Sequence, residues 1–215
     1  MIFRRLITLG VASCWFAAAV ACAQNGEPTC GRLKNHYGPF DYRTDGKALE
    51  IVESVHFTPQ VEALIRGSTG SVGGDIGYTL ATSPNHHRAL LAMTRLAEKQ
   101  RNPRPAGASY TVDCYFDRAI RFKPDDNIVR MIFANYLIRN AREAEARAQL
   151  KVAEKRGADN GFTQYNIGLL YFDMKDYDSA LSQAHKAVAL GFEQPALKEK
   201  LQAAGKWSEP GTANK

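Results

Sequence analysis

Two stretches of the chain carry the same pattern of apolar and polar positions. "NIVRMIFANYLIRNAREAEARAQLKVAEKRGA" from Asn127 and "GFTQYNIGLLYFDMKDYDSALSQAHKAVALGF" from Gly161 align without a gap, 34 residues apart. Each predicts two amphipathic helices joined by a short turn. Small residues recur in register: Ala134 and Gly168, Ala146 and Ala180, Ala153 and Ala187. Two helices that cross closely need small side chains at the crossing, because a bulky one pushes them apart. Large apolar residues fill the core positions between them, Phe133 with Ile167 and Leu137 with Tyr171.

The register extends upstream. "TVDCYFDRAIRFKPDD", residues 111–126, predicts the second helix of a preceding unit, with Val112, Phe116 and Ala119 inward and a stop at Pro124. Its first helix is "HHRALLAMTRLAEKQ", with Met93 and Ala97 in the core. That unit, 87–126, is longer by the Pro-rich turn "RNPRPAG" at 101–107. A degenerate unit at 53–86 keeps Ile76 and Pro84, with Pro59 and Gln60 at the positions for a large and a small residue. There Thr58-Pro59 predicts a helix cap and a first-turn proline. After Gly191, "PALKEKLQAAGKW" predicts a further helix, 195–207, with Leu197 and Leu201 on one face. This helix caps the apolar end of the array, and a flexible tail follows at 208–215.

The period and the small and large positions resemble the tetratricopeptide repeat family, over about Glu53 to Trp207. Leu90, Arg130 and Gln164 stand where many repeats of that family have a large aromatic, which marks this chain as divergent. The resemblance implies an all-α, right-handed superhelix of antiparallel helix hairpins with a C-terminal capping helix. It also implies a concave groove lined by the first helix of each unit. In members that bind extended peptides, asparagines at two positions hold the peptide backbone or its terminal carboxylate. Here Asn135 and Asn166 occupy them, with Lys200 at the matching position of the capping helix. Met131 and Ala196 replace two lysines of that carboxylate clamp, so the match is partial. Ile138, Tyr165, Leu169 and Phe172 are expected on the same face, alongside Met131.

The beginning of the chain obeys another pattern. Residues 1–23 have a basic start (Arg4, Arg5), an apolar run from Leu6 to Ala21 and an Ala-x-Ala ending, as a cleaved export signal does. The rival reading makes Cys22 a lipidated first residue, the one route that would put the protein on a membrane. Residues 24–52, rich in Gly, Pro, Asn and aromatics, predict an irregular lead-in whose Tyr37, Phe40 and Tyr42 lie against the repeats. "ALEIVESVHF" fits a short helix or an alternating strand, and the absence of a partner strand favours helix. The string "YGPFDYR…IVE..HFTP" followed by repeats resembles a group of uncharacterised exported proteobacterial repeat proteins.

Export changes the meaning of charge and cysteine. Losing Arg4 and Arg5 lowers the net charge from +6 to +4. Without a basic run, that charge is a solvated surface and nucleic acid is not the expected partner. Of four cysteines, Cys14 and Cys22 go with the signal or are modified there. Cys30 and Cys114 remain as an even pair in an oxidising periplasm, so a disulfide is expected. Cys114 lies off the core face of its helix, which places the lead-in on the convex side of the array.

Chemistry is sparse. "GSTGSVGGDIG", Gly67 to Gly77, lacks the Gly-Lys-Ser/Thr ending of a phosphate loop and reads as the turn of the first unit. His86 and His87 point about 100° apart on a helix and cannot share a metal unaided. Asp125-Asp126 reads as a helix cap. No catalytic residue, cofactor or metal ligand is expected. The residual enzyme hypothesis is a site around His36, Tyr37 and Asp41. The leading expectation is a non-enzymatic periplasmic scaffold binding a peptide segment of an envelope or secreted protein. The alternative is a structural subunit of an envelope assembly that uses its convex face or ends.

Overall fold

The computed structural model describes residues 29–211, and among them it is all-helical. The expected export segment, with Cys14 and Cys22, residues 24–28 and the last four residues lie outside the described residues. The helices are α1 Gly46–His56, α2 Pro59–Glu62, α3 Val72–Thr82, α4 His87–Gln100, α5 Val112–Phe122, α6 Asn127–Arg139, α7 Glu143–Arg156, α8 Gly161–Asp173, α9 Tyr177–Ala189 and α10 Pro195–Ala203. Helices α6 and α7, and α8 and α9, pack against each other across three-residue turns, and α4, α6 and α8 neighbour one another in sequence.

The repeat reappears as backbone geometry at the turns. Leu64, Arg101, Ala141 and Lys175, which follow α2, α4, α6 and α8, all have left-handed φ values between 51° and 59°. Each is followed by an amide that bonds five residues back: Ile65 to Gln60, Asn102 to Ala97, Arg142 to Leu137 and Asp176 to Tyr171. A non-glycine residue pays roughly 1–2 kcal/mol for this conformation. In return, carbonyls at the helix end gain donors they would otherwise lack.

The joints between units recur as well. His86, Asp126 and Asn160 are the N-caps of α4, α6 and α8, and their side chains accept from the amides of Ala89, Val129 and Thr163. Their own amides bond back to the carbonyls of Ser83, Lys123 and Gly157. Arg130 and Gln164, found where an aromatic is common, reach those same joints. Arg130 Nη2 donates to the Pro124 carbonyl at 3.5 Å, and Gln164 Nε2 to the Gly157 carbonyl at 2.6 Å.

Two apolar clusters meet at α6. One gathers Ile76, Leu90, Met93, Val112, Phe116 and Ala119; the other gathers Leu137, Leu150, Ile167, Tyr171, Leu197 and Leu201. Phe133 packs on both, its ring stacked 4.5 Å from that of Phe116. The predicted small positions are tight: Ala134, Ala146, Ala153 and Ala180 are fully buried. Each Leu of α10 that enters the second cluster contributes about 1.5–3 kcal/mol of apolar burial.

Three boundaries shift from the expected ones. The irregular lead-in ends at Asp45, and residues 46–56 form α1, held by buried Leu49 and Val52. The boundary expected at residue 52 therefore falls inside a helix. In the glycine-rich stretch only Gly67–Ser71 is a turn, because α3 begins at Val72 with Ser71 accepting from the Gly74 amide. Thr58 has the extended backbone of a cap before Pro59, but its hydroxyl makes no capping bond. After Trp207 the chain folds back, with Ser208 O accepting from His185 Nε2 at 2.8 Å.

The disulfide Cys30–Cys114 is present, with Cα atoms 5.0 Å apart across 84 residues of sequence. Beside it the Arg118 guanidinium, almost wholly buried, donates to the carbonyls of Cys30 and Arg32 at 3.0 and 2.7 Å. Arg121 donates to the Gly31 carbonyl at 3.0 Å.

Two stability measurements check this packing. A Cβ on Gly168 would stand 2.5 Å from Leu197 Cδ2 and 3.2 Å from Gln183 Cβ, whereas one on Gly46 meets nothing within 4 Å. Gly168→Ala is expected to lose about 1–2 kcal/mol despite its better helix propensity. Gly46→Ala should be neutral or stabilising by up to about 1 kcal/mol, both read from urea midpoints. Reducing Cys30–Cys114 should lower stability by at most about 4–5 kcal/mol, the chain-entropy figure for a loop of that length, measured by urea unfolding with and without reductant.

Candidate functional site

The units from His87, Asn127 and Gly161 each contribute their first helix to a shallow trough of about 360 Å³ between α4, α6 and α8. Of the residues predicted for a groove, Met131, Asn135, Asn166 and Leu169 line it together. The 34-residue register places Asn135 and Asn166 on successive helices, α6 and α8. Leu91 of α4 and Phe162 and Asp173 of α8 complete the part relevant to recognition. Asn166 Nδ2 donates to the Phe162 carbonyl at 2.8 Å, one helical turn back, so its Oδ1 faces outward as an acceptor. The Asn135 amide makes no hydrogen bond among the described residues.

The other four expected groove residues lie outside the lining. Lys200 Nζ sits 5.2 Å over the Phe172 ring, and Phe172 in turn meets Tyr177 edge-on at 5.4 Å. Tyr165 packs 5.3 Å from Phe192. Ile138, Tyr165 and Phe172 all rest on the second apolar cluster. The reason is α10: its Leu197 and Leu201 enter that cluster, and Lys200 follows its helix onto the aromatic surface there. Asp173 is the charged lining residue that sequence reasoning missed, beside the apolar Leu91, Ile128, Ile132, Phe162 and Leu170. Its only signal was its place as the last residue of an expected first helix.

Elsewhere, titratable groups are internally consumed. Asp75, buried at the start of α3, accepts from the amides of Ser68 and Thr69 at 2.7 and 3.1 Å, from the Thr69 hydroxyl, and from His56 Nδ1 at 3.0 Å. Burial alone would raise its pKa, but these donors hold it at about 2. The glycine-rich turn does cradle an anion, and the anion is the chain's own carboxylate. The residues of the enzyme hypothesis are dispersed. His36 is exposed beside Lys34 and Asn35, the Tyr37 hydroxyl donates to the Ala48 carbonyl at 2.8 Å, and Asp41 is buried. No group of three metal-ligating side chains occurs among the described residues. A larger cavity of about 580 Å³, beside the inserted 101–107 turn, is charged on both signs. Arg142 pairs there with Asp113 at 2.7 Å, and Arg139 pairs with Glu98 at 2.7 Å.

Asp41 belongs to a polar joint beneath the lead-in. Asn85, fully buried, donates through Nδ2 to Asp41 at 2.8 Å and to Asp126 at 2.9 Å, and its Oδ1 accepts from the Tyr42 amide at 3.1 Å. Arg43 and Lys123 pair with Asp41, and His87 donates to Asp126 at 2.8 Å. The hydrogen bonds from Arg43, above all, keep the Asp41 carboxyl far below the usual carboxylate range. Next to it, His86 is fully buried with both ring nitrogens engaged. Nδ1 accepts from the Ala89 amide at 3.1 Å, and Nε2 therefore carries the proton toward Glu53 at 2.8 Å.

No family model, no curated protein and no solved structure matches this chain. The chain's geometry includes a trough with one uncommitted amide and a set of charged clusters that are already satisfied.

The buried histidine has a consequence for acid stability. Burial lowers the His86 pKa against the opposing pull of Glu53. A histidine depressed in the folded state binds its proton more readily when unfolded. Its stabilisation is present above the unfolded value near 6.5 and is lost as pH falls toward the folded one. His86→Asn keeps a capping acceptor, as Asn160 does at the matching joint, and removes the titration. Urea midpoints between pH 8 and pH 5 should fall for the native chain and change less for the variant.

Proposed function

We propose that the chain is a non-enzymatic scaffold of the tetratricopeptide repeat kind, working in the periplasm. It holds a peptide segment of an envelope or secreted protein in the trough between α4, α6 and α8. The observation that carries this reading is the uncommitted Asn135 amide set in an apolar trough with the Asn166 oxygen one unit away. An amide offers both a donor and an acceptor, which suits a peptide bond, and the surrounding apolar surface suits its side chains. The repeating turns and joints support a superhelical array with this trough on its inner face. The disulfide fits an oxidising compartment, and no helix among the described residues is long and apolar enough to cross a membrane.

A second reading, an assembly subunit that binds through its end, is favoured by one observation. Ile51, Val55 and Tyr78 are 63%, 41% and 44% exposed around a small apolar pocket at α1 and α3. Exposed apolar side chains grouped in this way mark contact surfaces.

Affinity capture from an envelope extract separates the two. Asn135→Ala/Asn166→Ala should lose the specific partner that the native chain retains, while Ile51→Glu/Val55→Glu retains it. Equal yields from the native chain and the asparagine variant would sink the trough reading. Loss confined to the Ile51/Val55 variant would select the assembly reading.

A further inference from the structure

We infer that the segment held in the trough carries a lysine or arginine side chain and does not end there in a free carboxylate. This rests on the peptide-binding reading and adds the chemistry of the ligand to it. Asp173 is the one ionisable residue in the trough lining, and it forms no ion pair among the described residues. It is the last residue of α8, where the helix dipole is also negative, so its carboxylate and the helix end favour a cation together. Lys200, the residue that would have neutralised a terminal carboxylate, is committed to the Phe172 ring outside the lining.

The hydrogen-bonding inventory points the same way. One N–H of the Asn166 amide is used on the Phe162 carbonyl, which leaves its oxygen as an acceptor and one N–H free. With Asp173 an acceptor only, the three side chains together offer more acceptor oxygens than free N–H groups. A ligand rich in donors, meaning backbone N–H groups and a cationic head, satisfies this set. A terminal carboxylate brings two acceptor oxygens and a negative charge to a site that already has both. Ile128, Met131, Ile132 and Leu169 provide apolar surface for neighbouring side chains and for the stem of a lysine or arginine.

The test uses the chain from Gln24 onward with its disulfide intact, and fluorescein-labelled decapeptides that alternate leucine and threonine. Peptides are acetylated and amidated, and lysine, glutamate or norleucine is walked through each position; a further set has a free C-terminal carboxylate. Fluorescence anisotropy should show the best lysine peptide binding roughly fivefold more tightly than its glutamate counterpart, the range of an exposed ion pair. The free-carboxylate set should bind no better than the amidated one. Asp173→Asn should erase the lysine preference and Asp173→Lys should reverse it, with helicity unchanged by circular dichroism. Binding without charge preference, or tighter binding of the free carboxylate, overturns this inference and leaves the trough reading standing. Failure of every peptide to bind overturns the trough reading and the inference with it.

Discussion

The arrangement of the N-terminal half depends on one buried amide. Asn85 has two carboxylates at its nitrogen, Asp41 of the lead-in and Asp126 at the cap of α6, and the Tyr42 amide at its oxygen. Two like charges brought this close and taken out of water oppose folding unless donors surround them. Asn85 bridges both, Arg43 and Lys123 supply positive charge, and the His87 ring donates a hydrogen bond to Asp126. Because the bridge joins three segments distant in sequence, it fixes the lead-in against two successive joints of the array at once. Fixing Asp41 there also fixes the direction in which the chain before it runs. That direction leads to the Arg118 and Arg121 guanidiniums and to the disulfide at α5.

The same need, satisfying polar groups where helices end, explains why the repeat survives such divergence in side chains. Turn residues as different as Leu64, Arg101, Ala141 and Lys175 take the same left-handed conformation, because what recurs is the set of carbonyls to be bonded. Arg130 and Gln164, at matching positions of successive units, each bond the joint behind them. Arg130 does so as a guanidinium with no carboxylate partner, and burial lowers its pKa accordingly.

What the pattern of residues revealed follows from these distances. Features set within one unit were legible: the all-helical class, helices starting at His87, Asn127 and Gly161, the small positions, and α10 with its two inward leucines. Each depends on contacts a few residues apart or on the 34-residue period. The Cys30–Cys114 pair was legible for a different reason: with Cys14 and Cys22 assigned to an expected export segment, only two cysteines were left to pair. Long-range contacts were not legible. Nothing in "YGPFDYR" announces that Asp41 is buried under Asn85, and nothing in the glycine-rich stretch announces that its amides serve Asp75. Lys200 lies outside the trough lining, because the register of α10 against α8 is set by Leu197 and Leu201 rather than by the 34-residue period.

If the trough holds a peptide as proposed, the chain's overall charge is a poor guide to that ligand. The protein is basic as a whole, with 28 lysines and arginines against 22 acidic residues, yet those cations are dispersed over other surfaces or paired. Beyond about 10 Å at ordinary ionic strength their field is largely screened, so a bound segment answers to the groups it touches. Those groups are apolar side chains, two amides and the carboxylate of Asp173. Specificity comes from what is left unpaired at contact distance, and here the unpaired charge is negative although the protein is not.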